Sequence, residues 1–148
     1  MNHALGVVPE WIPVHVAQVD DVDRAAIEAA AARDSLSAVR WPDPFPFDSR
    51  TAMLAATFAK QSGRVVAYSL AAMRQAFAAG RDLGVTDNVL IAAAACELHP
   101  RALLKGIEMR SVHTALDAAS AGVDAVPALE LGDRRLVGAE ALADAGIL

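Results

Sequence analysis

The spacing of apolar residues changes along the chain, and these changes predict which elements it forms. Residues 11–17 alternate, with Ile12, Val14 and Val16 on one face, which is typical of a half-buried β-strand. Pro13 lies on the opposite face and lacks a backbone N–H, so we expect this strand at a sheet edge or at a bulge. The middle of the chain then shows helical spacing, and the tail returns to short strand-like runs.

Capping residues, prolines and glycines set the bounds of five predicted helices. Four of the helices run over 22–33, 64–79, 87–98 and 101–121. The remaining one begins at a cap formed by Asp48 or Ser49 and ends at residue 61. In the 64–79 helix, Val66, Leu70 and Met73 recur at helical spacing with Phe77, which predicts the face that packs on the core. Gly106 predicts a break in the last of the five helices.

Two short runs near the end of the chain predict a β-hairpin. Residues 126–131 and 134–137 flank the turn sequence Gly132-Asp133, and a final short helix is predicted over 140–145. No internal repeat or low-complexity linker is present. We therefore expect one domain over residues 1–148, with a helical insertion at about 48–121.

Composition narrows the class of protein. The chain has 148 residues, a net charge of −5 and no cluster of Lys and Arg, which argues against nucleic acid as a partner. It has no run of roughly 20 apolar residues that would span a membrane and no secretory signal at its start, so we expect a cytoplasmic protein. Cys96 is the only cysteine, which excludes an internal disulfide and a CxxC motif and makes a zinc site improbable.

Two groups of motifs resemble a known superfamily. Gly122-Val-Asp-Ala-Val-Pro127, then the hairpin, then Gly138 resembles the C-terminal half of a thioredoxin fold. Trp41-Pro-x-Pro-Phe-Pro46, then an alanine-rich helix, then Gly80-Arg-Asp-Leu83 is similar to the DsbA-like superfamily. The pattern is nearest the branch of 2-hydroxychromene-2-carboxylate isomerases and kappa-class glutathione transferases.

The resemblance implies an α/β, thioredoxin-like fold with an inserted α-helical subdomain. The family's first strand carries its nucleophile, a CxxC pair or a serine, and no segment before Trp11 matches that strand. We therefore expect a chain shortened at its start, lacking the first strand and most of the first helix. No catalytic residue is identifiable.

The resemblance also implies where a ligand would bind. Pro127 is expected to follow a cis peptide bond and to expose the Val126 backbone to glutathione or a thiol-bearing peptide, although an ordinary proline at a strand start is the alternative. Glu140 keeps the carboxylate of the branch's Gly-Ser-Asp motif, whereas Ala139 replaces its serine. Trp41 and Pro42 either line a substrate cleft or pack their loop on its own core. Cys96 is expected to be a buried apolar residue.

The residues leave three functions open, and they leave undecided whether the chain is an enzyme. The first is a DsbA-like thiol–disulfide oxidoreductase-family protein with little activity, because its nucleophile segment is absent. The second is a glutathione-dependent isomerase or transferase, in which glutathione itself supplies the thiol. The third is a non-catalytic binding module. Each implies a small-molecule or thiol-containing partner, no metal and no membrane, and the resemblance adds an expected homodimer.

Overall fold

The chain folds mainly into helices followed by one hairpin. The computed structural model describes residues 8–17, 21–139 and 143. The elements in chain order are α1 (Arg24–Arg33), α2 (Arg50–Gln61), α3 (Val65–Phe77), α4 (Thr86–Ala95), α5 (Pro100–Glu108), α6 (Arg110–Ser120), β1 (Ala128–Leu131) and β2 (Arg134–Val137). This order confirms the prediction that a helical block is followed by a hairpin.

Helix α2 lies at the centre of the helical block and packs against α3, α4, α5 and α6. Its inward positions are mostly alanine, whose short side chain lets neighbouring helices come close, and the fully buried ones are Ala52, Ala55 and Ala59. Gly106 lets α5 pack equally close to α2, since a Cβ atom added to Gly106 would lie 2.3 Å from Cδ2 of Phe58 on α2. Small residues thus determine how tightly the helices pack.

The buried face of α3 differs from the face that its apolar spacing predicts. Tyr68, Ala72 and Ala76 point into the core, whereas Val66 and Leu70 are 42% and 45% exposed. The prediction placed the large aliphatic residues inside, as hydrophobicity alone favours. Close contact with α2 and α4 instead requires small side chains over much of the helix interface, so Ala72 and Ala76 lie there beside the Tyr68 ring and the aliphatic residues lie outside.

The predicted break in the 101–121 helix occurs, but it lies at Met109 and not at Gly106. Helix α5 continues through Gly106 to Glu108, and the chain then turns at Met109, whose ψ of 127° is extended. Gly106 is needed for the contact with Phe58 and not for a change of direction. Helix α4 is also shorter than predicted, because the chain leaves it before Glu97, which has a positive φ of 62°.

The hairpin forms as predicted. Strands β1 and β2 pair antiparallel with Ala128 opposite Val137 and Leu131 opposite Arg134, and Gly132 supplies the positive φ that the turn requires. It is the one sheet in the described part of the chain, so the thioredoxin-like arrangement stays a prediction. The final predicted helix over 140–145 lies almost entirely outside the described residues.

The predicted strand over residues 11–17 does not form. The described residues 8–17, called the 8–17 segment below, run along the helical block without regular structure. Side chains hold the segment there: the His15 N–H donates to Oγ of Ser120 at 2.8 Å, and Nζ of Lys60 donates to the Trp11 carbonyl at 3.3 Å. Pro13 contributes no donor of its own. Neither face of the predicted strand is buried throughout, because each face contains half-buried and exposed residues.

Candidate functional site

A cavity of about 280 Å³ lies between the 8–17 segment and helices α2 and α3. The segment contributes Trp11, Ile12 and Pro13 to its wall. The remaining lining residues are Phe47, Ser49, Ala52, Met53, Ala56, Val65, Tyr68, Ser69, Ala72, Met73, Ala76, Phe77 and Leu83. Alanines on α2 and α3 leave the space, and larger apolar side chains complete its lining.

The cavity wall carries no ionisable carboxylate, ammonium, guanidinium or imidazole group among the described residues. Its side-chain polar groups there are the hydroxyls of Ser49, Ser69 and Tyr68 and the indole N–H of Trp11. A charged group placed inside would lose its hydration without gaining a partner of opposite charge, which is strongly unfavourable. The cavity is therefore suited to an uncharged, apolar part of a ligand.

Tyr68 is one of the residues that line the cavity, and it is the largest fully buried side chain of the core, at 1% exposure. Its hydroxyl oxygen has no hydrogen-bond partner within the ranges that the structure describes. Burial raises the pKa of this phenol well above its ordinary value, and nearby Cys96 adds to the shift. The hydroxyl is thus a neutral group deep in the protein and not a proton donor or acceptor at neutral pH.

The single thiol of the chain is also buried. Cys96 is 5% exposed, and its Sγ donates a hydrogen bond to the Ala93 carbonyl at 3.2 Å. Burial raises the pKa of the thiol, an effect that a hydrogen bond from the Leu98 backbone only partly offsets. Because the thiolate is the reactive form of cysteine, Cys96 is suited to packing and not to nucleophilic attack.

Trp41 and Pro42 lie in an aromatic cluster beside the cavity. Pro42 is buried, and the Trp41 ring lies 4.9 Å from Phe45 and 6.0 Å from Phe77. The Trp41 indole N–H donates to the Glu28 carboxylate on α1. Neither Trp41 nor Pro42 lines the cavity, although Phe77 belongs to both groups, so the structure favours the alternative in which the loop packs on its own core.

Val126 and Pro127 lie directly before β1, apart from the cavity lining. The peptide bond between them is cis, as the resemblance implies, and the Val126 side chain is 51% exposed. The Pro127 carbonyl accepts from the Gly138 N–H at 2.8 Å, which extends the hairpin by one bond. Across the described ranges, neither backbone group of Val126 takes part in a backbone hydrogen bond. Glu140 lies outside those ranges.

Sequence reasoning missed the residues that line the cavity, above all Trp11, Phe47 and the alanines of α2 and α3. The signal was present as pairs of alanines four residues apart, at 52 and 56 and at 72 and 76. Such pairs are common in closely packed helices, so their spacing alone does not distinguish a cavity from a tight contact.

The described residues provide neither a metal centre nor a membrane-spanning helix. Across residues 8–17, 21–139 and 143, no three His, Cys, Asp or Glu side chains converge as metal ligands would. None of the helices in those ranges is both long enough and apolar enough to cross a membrane.

Comparison of the chain with protein-family models, with curated proteins and with solved structures finds no significant match in any of the three.

Proposed function

We propose that the chain is a DsbA-like protein of the isomerase and glutathione-transferase branch, and that its cavity binds the apolar part of a small aromatic substrate. The cavity carries this proposal, because it lies against the helical block, where the resemblance places substrate access. An apolar cavity of about 150 Å³ holds benzene. A volume of about 280 Å³ is suited to a bicyclic aromatic group.

The state of Cys96 favours glutathione chemistry over disulfide exchange. Exchange needs an accessible thiolate. The only thiol of these 148 residues is buried with a raised pKa. In a glutathione-dependent reaction the thiol comes from glutathione, so the chain would need only to bind glutathione and hold the aromatic substrate beside it.

The Val126 backbone supports a site for glutathione. Glutathione is a peptide, and a peptide binds an extended segment through backbone hydrogen bonds. Val126 is exposed directly before β1, with its N–H and carbonyl free of other backbone bonds in the described ranges. Ala139 offers no hydroxyl to such a ligand, so we assign the binding to the backbone of Val126.

A non-catalytic binding module is the second candidate, and one observation favours it. Val126 and Pro127 do not belong to the cavity wall. If the two sites act separately, the chain would bind an aromatic molecule without transforming it. Isomerase turnover in the presence of glutathione, and none in its absence, would separate the first candidate from the second.

Fluorescence tests the binding step. Trp11 lines the cavity and Trp41 does not, so a Trp41→Phe chain reports on the cavity through one tryptophan. α-Naphthylamine, a neutral bicyclic amine at pH 7, absorbs where tryptophan emits. We expect saturable one-to-one energy transfer from Trp11.

A pair of alanine variants provides the control. In the Trp41→Phe chain, Ala72→Leu should weaken the transfer, because Ala72 lines the cavity and a leucine there takes up part of its volume. Ala67→Leu makes the same change on an exposed side of α3 and should bind as the parent does. Equal binding by both variants would place the probe elsewhere and contradict the proposal.

A further inference from the structure

The 8–17 segment forms one wall of the cavity and differs in kind from the other walls. Trp11, Ile12 and Pro13 line the cavity on this side, and Ile12 is 52% exposed. The opposite walls consist of helices in mutual contact, with lining residues such as Ala52 and Ala76 at 0% and 1% exposure. Opening the helical side would separate the core, whereas opening the segment side would not.

Few bonds hold the segment in place. Lys60, near the end of α2, forms an ion pair with Glu10 and donates to the Trp11 carbonyl. Further along the segment, the His15 backbone N–H donates to Oγ of Ser120 at 2.8 Å, and the His15 Nε2 lies 3.7 Å from Oδ1 of Asp48. Within the ranges described, no backbone-to-backbone hydrogen bond joins the segment to any other part of the chain.

We propose that the 8–17 segment is the gate of the cavity and that the hydrogen bonds of its backbone to Lys60 and Ser120 act as latches. A ligand enters when the segment swings away from α2 and leaves by the same route. The inference rests on the proposed binding of an apolar ligand in the cavity. It goes further in naming the moving part and the residues that set the rates of entry and exit.

Stopped-flow mixing of the Trp41→Phe chain with α-naphthylamine tests the gate. Lys60→Met keeps most of the aliphatic stem and removes both bonds to the segment. Loss of a partly exposed ion pair and of one charged hydrogen bond should raise the association and dissociation rate constants together, by on the order of fivefold. The dissociation constant should change by less than about twofold, because the latch holds the segment in the free and the bound state alike.

Two further variants make the result specific. Ser120→Ala removes the second latch and should also raise both rate constants, by a smaller factor because that bond is uncharged. Arg50→Met breaks an ion pair between α2 and Asp117, with atoms 2.9 Å apart, which does not touch the segment. Its two rate constants should equal those of the parent.

The possible failures are distinct. If the Trp41→Phe chain binds the probe and neither Lys60→Met nor Ser120→Ala changes a rate constant, the gate is refuted and the cavity stands. If the probe does not bind to the parent at all, both the cavity site and its gate are refuted. An increase in Arg50→Met as large as in Lys60→Met would show a general loosening and also overturn the gate.

Discussion

Tyr68 offers a prediction whose sign is opposite to that of most core substitutions. Its hydroxyl is buried without a hydrogen-bond partner in the described ranges, and such an unsatisfied group lowers stability by about 1–3 kcal/mol. Tyr68→Phe removes the oxygen and keeps the ring. Removing the oxygen also removes a few dispersion interactions of about 0.1–0.2 kcal/mol each, and their loss offsets part of the stability gained. We expect the free energy of unfolding to rise by about 1 kcal/mol.

Urea denaturation followed by circular dichroism measures the change, with the midpoint moving to higher urea at an unchanged slope. Thr57→Val is the matched control, because Thr57 is also buried but its hydroxyl donates to the Met53 carbonyl at 2.8 Å. That variant should lose about 0.5–1.5 kcal/mol. If Tyr68→Phe is destabilising by a similar amount, the Tyr68 hydroxyl has a partner in the folded protein and the reasoning is refuted.

Three other predictions follow from the same core. Gly106→Ala should destabilise the protein by about 1–3 kcal/mol in thermal unfolding, because the added Cβ would lie 2.3 Å from the Phe58 ring. This loss should outweigh the usual preference of a helix for alanine over glycine. A stabilised variant would contradict the close approach of Gly106 to Phe58. Cys96 should react with an aromatic disulfide reagent at least about tenfold more slowly in the folded than in the urea-unfolded protein, and equal rates would show that the thiol is accessible. The free energy of unfolding should fall as the pH rises above about 9, since the unfolded chain loses the Cys96 and Tyr68 protons at their ordinary pKa values of 9.0 and 10.0 while the folded protein retains them. Urea titrations between pH 8 and 10.5 measure this fall, and Tyr68→Phe should reduce its upper part; a flat profile would mean that neither group is buried.

Local signals made the helices and the hairpin predictable. Asp23 caps α1 by accepting from the Ala26 N–H at 3.0 Å, and glycines with positive φ follow α2 and form the hairpin turn. Such signals act between near neighbours, so they can be seen without knowing the fold. The bounds of the helices and of the hairpin were accordingly predicted to within about three residues, and the largest differences are at the end of α4 and at the break after α5.

The inward face of α3 could not be found in this way, because it depends on how closely another helix approaches. Hydrophobicity ranks Leu70 above Ala72 for burial, whereas packing against α2 selects the smaller residue. The 8–17 segment shows the same limit. Its alternation is that of a strand, but a strand requires a pairing partner, and in the described structure Lys60 and Ser120 bind its backbone instead.

The candidate site was predictable only in part. The exposed Val126–Pro127 turn follows from the resemblance. The cavity is lined by residues more than 30 positions apart in sequence, such as Trp11, Met53 and Tyr68, and local patterns do not relate such residues. The predicted residues Trp41 and Pro42 lie near the cavity, since Phe77 belongs both to their aromatic cluster and to the cavity wall. No short-range spacing reveals a space lined by three such segments.

The central claim is that an apolar aromatic molecule binds between the 8–17 segment and α2 and α3. Intermolecular nuclear Overhauser effects between α-naphthylamine and the methyl groups of the isotopically labelled chain test it most directly. The cavity predicts effects to Ile12, Ala72 and Met73, which line it together. Effects confined to exposed methyl groups such as those of Ile91 and Val137, or none at all, would contradict the claim.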